Sequence, residues 1–223
     1  MNLSDIRPKI PPALYEILSA EINELRPAQE KAINAGLLDA KNLLVCTPTS
    51  SGKTLVAELA AVNSILTKGG KAVYIVPLKA LAQEKYNDFK KRYGSLLKVA
   101  LSIGDLDSSD SYLADYDLII TVSEKLDSLI RHYAPWISMV KVVIVDEIHL
   151  LDDPGRGPTL EILITILRSV LKNIQLIGLS ATIGNPEELA SWLGAALVED
   201  DWRPVKLNKG IYLAGEVEFF ETE

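Results

Sequence analysis

The fold is decided by the stretch Thr47-Pro48-Thr49-Ser50-Ser51-Gly52-Lys53-Thr54, which follows a short apolar run. Small residues let successive backbone N–H groups turn inward around an anion, and a helix that begins near Gly52 adds its positive N-terminal end. This context predicts a phosphate-binding loop, in which Lys53 reaches the β- and γ-phosphates and Thr54 ligates Mg²⁺. The general pattern begins with glycine, where this chain has Thr47. The alternative for the loop alone is a helix start without a ligand.

Two adjacent carboxylates provide the second signal. Val142–Val145 is an apolar run typical of a buried strand, and Asp146 and Glu147 follow it directly. Adjacent acids at such a place are costly unless a cation or a catalytic task uses them. We therefore predict that Asp146 holds Mg²⁺, mostly through water, and that Glu147 orients and activates an attacking water. A helix-capping role for Asp146 would leave Glu147 unexplained.

Composition and charge narrow the possible classes of protein. The chain has 223 residues, of which 48% are hydrophobic and 24% are charged, as expected for one well-buried domain. The net charge of −7 excludes a general polyanion binder, so any contact with nucleic acid must use local groups. Cys46, the single cysteine, is predicted to be a small buried hydrophobe. Without a signal-peptide core or a long apolar run, a cytoplasmic setting is expected.

Short apolar runs alternate with helical patterns along the chain. This order predicts an α/β fold with a mostly parallel sheet and helices on both faces, in which ligands bind at the carboxyl ends of the strands. Residues 1–200 are predicted to form this domain, and residues 201–223 a strand, hairpin or linker; the prolines between Asp5 and Pro12 indicate an extended start. The predicted strands are Asn42–Cys46, Ala72–Val76, Lys98–Ser102, Leu118–Thr121, Val142–Val145 and Gln175–Leu179. The predicted helices are Ala28–Leu38, Lys53–Leu66, Ala80–Tyr93, Glu124–Tyr133, Thr159–Leu171 and Pro186–Leu193.

The loop and the box Asp146-Glu147-Ile148-His149 together resemble those of superfamily-two helicases of the DEAD/DExH class. The resemblance is closest to the Ski-type branch and, within it, to archaeal Hjm-type DNA helicases, and it spans nearly the whole chain. In that family the loop commonly reads Pro-Thr-x-x-Gly-Lys-Thr, which residues 48–54 match. Thr47 therefore departs only from the glycine of the general phosphate-loop pattern. The resemblance implies a RecA-like P-loop domain that binds ATP and Mg²⁺, and ATP-dependent DNA unwinding of the 3′–5′ type, as in DNA repair, by a nucleoid-associated protein.

Further motifs acquire roles only through this resemblance. Leu25-Arg26-Pro27-Ala28-Gln29 looks like the family's adenine-reading segment, with Gln29 as the reader, whose amide can donate and accept together. Ser180-Ala181-Thr182 is similar to the coupling motif whose hydroxyls bond to the box. With His149, the residues Ser180 and Thr182 are therefore expected to couple nucleotide state to movement.

Three segments resemble the family's contacts to nucleic-acid backbone, and each by itself could be an ordinary strand–helix turn. They are Pro77-Leu78-Lys79-Ala80-Leu81, Gly104-Asp105 and Thr121-Val122-Ser123-Glu124-Lys125. The residues expected to bind single-stranded or forked DNA are Pro77, Lys79, Gly104, Thr121, Glu124 and Lys125.

The motifs of a second RecA-like lobe do not follow Thr182. The resemblance therefore implies the first lobe of a longer helicase, whose second lobe would supply an arginine finger. We expect little activity from this chain alone. The alternatives are a stand-alone single-lobe module that binds nucleotide or nucleic acid, the lobe of an RNA helicase, and some other P-loop ATPase.

Overall fold

A seven-stranded parallel sheet organises the described part of the chain. The computed structural model describes residues 1–104, 110–205 and 208–220. The sheet has the strand order β3-β4-β2-β5-β6-β1-β7, and β8 and β9 form a separate antiparallel hairpin. The strands are β1 (Leu43–Cys46), β2 (Lys71–Val76), β3 (Val99–Ser102), β4 (Leu118–Val122), β5 (Val140–Val145), β6 (Gln175–Ser180), β7 (Ala196–Glu199), β8 (Lys209–Leu213) and β9 (Glu216–Phe220).

Helices connect the strands and cover both faces of the sheet. They are α1 (Pro12–Ser19), α2 (Pro27–Asn34), α3 (Lys53–Lys68), α4 (Lys79–Tyr93), α5 (Ser123–Arg131), α6 (Gly157–Val170) and α7 (Pro186–Leu193), with shorter 3-10 turns between them. Within the residues that the structure describes, no helix is both long enough and apolar enough to cross a bilayer.

The alternation of side chains along each strand creates two separate cores. In β1, Leu43 and Val45 face a core built with α3 and α4, whereas Leu44 and Cys46 face a core built with α5, α6 and α7. Nearly every residue of the inner strands β1, β2, β4, β5 and β6 is buried because helices lie on both sides, which explains the continuous apolar runs in the sequence. The predicted fold class is confirmed, and every predicted strand is present.

The structure corrects the sequence prediction at three places. The extended start predicted between Asp5 and Pro12 is wrong: a 3-10 helix spans Leu3–Lys9, and Pro12 opens α1 at a position that does not need an N–H. Helix α2 ends at Asn34, short of the predicted end, because Gly36 takes a left-handed conformation at φ 103°. The edge strand β7 was not predicted, since a short, half-exposed run carries little pattern.

The packing of α6 can be tested with two adjacent aliphatic residues. Leu163 is fully buried in the core and Ile162 is 50% exposed. We expect Leu163→Ala to lower the free energy of unfolding by about 2–5 kcal/mol because it leaves a cavity. Ile162→Ala, the matched control, should change it by no more than about 0.5 kcal/mol. Urea unfolding followed by circular dichroism measures both, and equal effects would contradict this packing.

Candidate active site

The loop predicted to bind phosphate connects β1 to α3 at the carboxyl edge of the sheet. Gly52, the last residue before α3, has φ 96°, a left-handed conformation that favours glycine. A Cβ at this position would lie 2.3 Å from Gln29 Nε2, so the loop also requires glycine for close packing. Ser50 is left-handed as well, at φ 66°. These turns give the loop its tight curvature.

Lys53 lies inside the curve of this loop. Its ammonium donates hydrogen bonds to the carbonyl oxygens of Thr47 at 2.6 Å and Pro48 at 3.1 Å. Burial lowers the pKa of Lys53, while the nearby carboxylates of Glu147 and Asp146 oppose that effect. The lysine is therefore a half-buried cation that faces both carboxylates across the site.

The side chains of the loop divide into two groups. Thr47 and Ser51 are buried, with their hydroxyl oxygens 2.7 Å apart, so only their backbone can face a ligand. Pro48 is buried and has no N–H. The residues that line the open side of the loop are Thr49, Ser50, Gly52, Lys53 and Thr54.

The carboxylates follow β5 with defined orientations. Asp146 Oδ2 accepts a hydrogen bond from the Tyr74 hydroxyl at 2.8 Å, and its Oδ1 accepts one from the Glu147 N–H at 3.0 Å. Glu147 itself is left-handed, at φ 51°. His149 Nδ1 lies 3.4 Å from Glu147 Oε2 without hydrogen-bond geometry. The box is thus held by backbone turns and by Tyr74.

One open cavity of about 350 Å³ joins the loop to the carboxylates. Asp146 and Glu147 form one side of it, and α4 contributes residues that the sequence prediction missed. Among these, Lys85 Nζ lies 3.4 Å from Thr54 Oγ1. Leu81 and Lys85 share a helix face because they are four residues apart, which is the only signal that could have identified them. The other missed lining residues are Arg26, Glu84 and Pro204.

Gln29 packs against the phosphate-binding loop at Gly52. It is 4% exposed, its Oε1 accepts a hydrogen bond from the Arg26 N–H at 2.8 Å, and its Nε2 donates to the Gly52 carbonyl at 3.0 Å. Among the described residues, nothing else bonds to this amide, which leaves one amide hydrogen and one acceptor position for another partner. Its role as an adenine reader stays a prediction.

The segment predicted to couple the site lies beside the box. Ser180, the last residue of β6, is fully buried. It is level with Cys46, the last residue of the neighbouring strand β1. Burial raises the pKa of the Cys46 thiol to about 11. Thr182 is exposed. Within the described ranges, no hydrogen bond joins either hydroxyl to the box. An open cavity of about 520 Å³ separates His149 from Ile183 and Gly184, the residues after Thr182.

The predicted nucleic-acid residues occupy the other half of the same edge. Pro77, Gly104 and Glu124 follow the neighbouring strands β2, β3 and β4, and Lys79 opens α4. Lys79, Gly104 and Glu124 are exposed, and Pro77 is half-buried. Asp105 lies outside the described residues. The structure therefore brings these four predicted residues to one continuous rim.

Thr121 and Lys125 face the interior, unlike the other predicted contacts. The Thr121 hydroxyl donates to the Ser102 carbonyl at 2.7 Å and is fully buried. Lys125, 1% exposed, forms an ion pair with Asp110 at 3.0 Å. Both side chains hold the rim together in this structure, and their direct contact with nucleic acid stays a prediction.

The sheet order and the loop define the class of protein. A parallel sheet with a phosphate-type loop after β1 and an acidic box after β5 is a RecA-like nucleotide-binding domain. More narrowly, the chain belongs to the DEAD/DEAH box helicase family, whose model matches residues 26–189.

Named relatives agree with this assignment. The chain is similar to "ATP-dependent DNA helicase Hel308" of Pyrococcus horikoshii, with 52% identity over 97% of this chain and 30% of that protein. A protein with the same name from Methanocaldococcus jannaschii is 56% identical over 91% of this chain and 17% of its own length. A crystal structure of DUF1998 helicase MrfA bound to DNA matches with a TM-score of 0.72 and 26% identity, covering 86% of this chain and 30% of that one. The chain thus spans 30% or less of the length of these proteins.

The contact between Gly52 and Gln29 yields a test by substitution. We expect Gly52→Ala to lower the free energy of unfolding by more than the ~1–2 kcal/mol of a left-handed alanine, because the new Cβ also collides with the Gln29 amide. Gly194→Ala is the control: it is left-handed at φ +59° but has only an ordinary contact, with the Arg168 side chain at 3.5 Å.

A double-mutant cycle separates the strain from the collision. In the Gln29→Ala background, where the close approach to Arg26 Cδ at 3.1 Å remains, Gly52→Ala should cost clearly less than in the unmodified chain, as measured by chemical unfolding. Additive effects of Gly52→Ala and Gln29→Ala would contradict the contact.

Proposed function

We propose that this chain is the ATP-binding motor lobe of an ATP-dependent DNA helicase that acts in the 3′–5′ direction. The observation that carries the proposal is the convergence of four side chains on one cavity: Lys53 and Thr54 from the loop, and Asp146 and Glu147 from the box. A cation, a hydroxyl and two carboxylates are the set that phosphoryl transfer to water requires.

Each of these side chains has a defined task in the proposal. Lys53 exchanges its loop carbonyls for the β- and γ-phosphates, and the N–H groups of residues 49–54 surround the phosphate oxygens. Thr54 and Asp146 hold Mg²⁺, which neutralises charge on the phosphates when it is bound. Glu147 accepts the proton of the attacking water.

The rim formed by Pro77, Lys79, Gly104 and Glu124 is the proposed path of single-stranded or forked DNA. The N–H groups in the first turns of α4 and α5, which have no partner within their helices, and the ammonium of Lys79 can meet phosphates there. Glu124 can contribute only through its backbone or as an acceptor, because its carboxylate repels phosphate. DNA is proposed over RNA because the named relatives are DNA helicases. A DNA partner would associate the protein with the nucleoid in the cytoplasm.

A second RecA-like lobe is part of the proposed complete motor. Residues 1–200 would form the first lobe and residues 201–223 the boundary, where the hairpin leaves Tyr212, Leu213 and Phe219 more than half exposed. A two-stranded hairpin with exposed apolar side chains is marginal by itself and gains stability when another body covers it. A stand-alone module is the alternative proposal, and it predicts that the chain performs its whole task without such a lobe.

Lys53→Ala tests the nucleotide site. We expect this variant to lose binding of a fluorescent ATP analogue, because the phosphates lose their principal cation. Lys68→Ala, which removes an exposed lysine from the last turn of the same helix, should bind as the unmodified chain does. Equal binding by Lys53→Ala and the unmodified chain would contradict the proposed site.

Steady-state hydrolysis tests the need for a second lobe. In related systems an arginine finger raises the turnover rate by a factor of ~10³–10⁵. Because the second lobe would supply this arginine, the chain alone should hydrolyse ATP negligibly, with or without single-stranded DNA. Turnover that depends on Lys53 and is stimulated by DNA would instead favour a stand-alone module.

Gln29→Ala tests the base specificity. If the free amide positions of Gln29 read adenine, the variant should lose the preference for ATP over GTP, as measured by competition with the fluorescent analogue. An unchanged preference would oppose the proposed role of Gln29.

A further inference from the structure

Tyr74 contacts the candidate site although no sequence motif identifies it as a site residue. It lies in β2, its ring is fully buried, and its hydroxyl donates to Asp146 Oδ2 at 2.8 Å. In the sheet, Tyr74 pairs with Ile144 of β5, two residues before Asp146. The hydroxyl therefore reaches along the sheet toward its carboxyl edge, where the loop and the box meet.

The position of the Tyr74 ring is fixed by its neighbours. The ring of Phe89, from α4, meets it edge-on with centroids 5.6 Å apart, and Phe89 in turn packs against Tyr93 at 5.8 Å. All three rings are at most 1% exposed. The packing of the ring therefore fixes the direction in which its hydroxyl donates to Asp146.

Both oxygens of the Asp146 carboxylate are consequently oriented. Oδ2 is held by Tyr74 and Oδ1 by the Glu147 N–H at 3.0 Å. Each oxygen keeps a further lone pair, so the carboxylate can still hold a hydrated cation. Partners of this kind behind a metal-binding carboxylate commonly determine metal affinity, and their loss reduces it by about 10–100-fold.

We propose that Tyr74 is a positioning residue for Mg²⁺: its hydroxyl fixes the Asp146 carboxylate in the orientation that holds the ion beside a bound nucleotide. This inference rests on the proposed function of the site. The competing explanation is that Asp146 merely satisfies the hydroxyl of a tyrosine buried for stability. The two explanations differ in what they predict for Mg²⁺ dependence.

Tyr93 provides a matched control in the same core. It is also fully buried, and its hydroxyl donates to Glu58 Oε2 at 2.7 Å, a carboxylate that does not line the nucleotide cavity. Tyr74→Phe and Tyr93→Phe therefore each remove one hydroxyl from a buried tyrosine–carboxylate pair. A purely structural role predicts the same consequences for both variants.

The experiment measures the affinity of the chain for a fluorescent ATP analogue as free Mg²⁺ is titrated from zero, in EDTA, to saturation. We expect Tyr74→Phe to raise the Mg²⁺ concentration at half-saturation by about 10-fold or more, with unchanged affinity in EDTA. Tyr93→Phe should leave that concentration unchanged. An unchanged value in Tyr74→Phe, or an equal rise in both variants, would overturn the proposal.

Two further measurements separate a failure of the proposed function from a failure of the role of Tyr74. If the unmodified chain binds nucleotide without any Mg²⁺ dependence, or Lys53→Ala binds equally well, the proposed function fails, and not only the role of Tyr74. If Tyr74→Phe does not fold, Phe89→Leu replaces it, because this variant keeps the hydroxyl but releases the ring. It should raise the Mg²⁺ half-saturation in the same direction by a smaller factor, and no rise would overturn the proposal.

Discussion

Because the seven strands of the main sheet pair in parallel, each connection must cross back over a face, and every strand ends at the same edge. The register determines the spacing of the site along that edge: Cys46 of β1 is level with Ser180 of β6, and β6 separates β1 from β5. The loop and the box are therefore about two strand spacings apart, or roughly 10 Å. This gap suits a chain of phosphates with a cation, and Lys53 already extends into it.

Helix α4 connects the two halves of the edge. Its first residue, Lys79, lies on the rim proposed for DNA, Lys85 lines the nucleotide cavity, and Phe89 packs against the tyrosine that holds Asp146. A helix of this length is rigid and about 22 Å long. A shift of α4 caused by either ligand would therefore reach the other site without any change in the sheet. This arrangement connects the proposed nucleotide site physically with the rim proposed for DNA.

The sequence predicted the parts of the structure that depend on local pattern. Strand runs such as Val142–Val145 are unbroken because both faces are covered, and the loop is recognisable because Gly52 and Lys53 have few substitutes. Local pattern did not predict which polar side chains near the carboxyl edge of the sheet face the interior. Thr121 and Lys125 match a nucleic-acid motif, yet they face inward because Ser102 and Asp110 from elsewhere in the chain offer partners. Lys85 and Tyr74 were missed since their contacts depend on tertiary packing.

The backbone at Glu147 indicates how strongly the site constrains the chain. A left-handed residue other than glycine costs on the order of 1–3 kcal/mol and persists only where its surroundings enforce it. Here Asp146 Oδ1 accepts the Glu147 N–H, the Glu147 carbonyl accepts the Leu150 N–H at 3.0 Å, and Ile148 is fully buried. Glycine would adopt this conformation with less strain but would supply no carboxylate. The strain is therefore the consequence of turning the Glu147 carboxylate toward the cavity directly after Asp146.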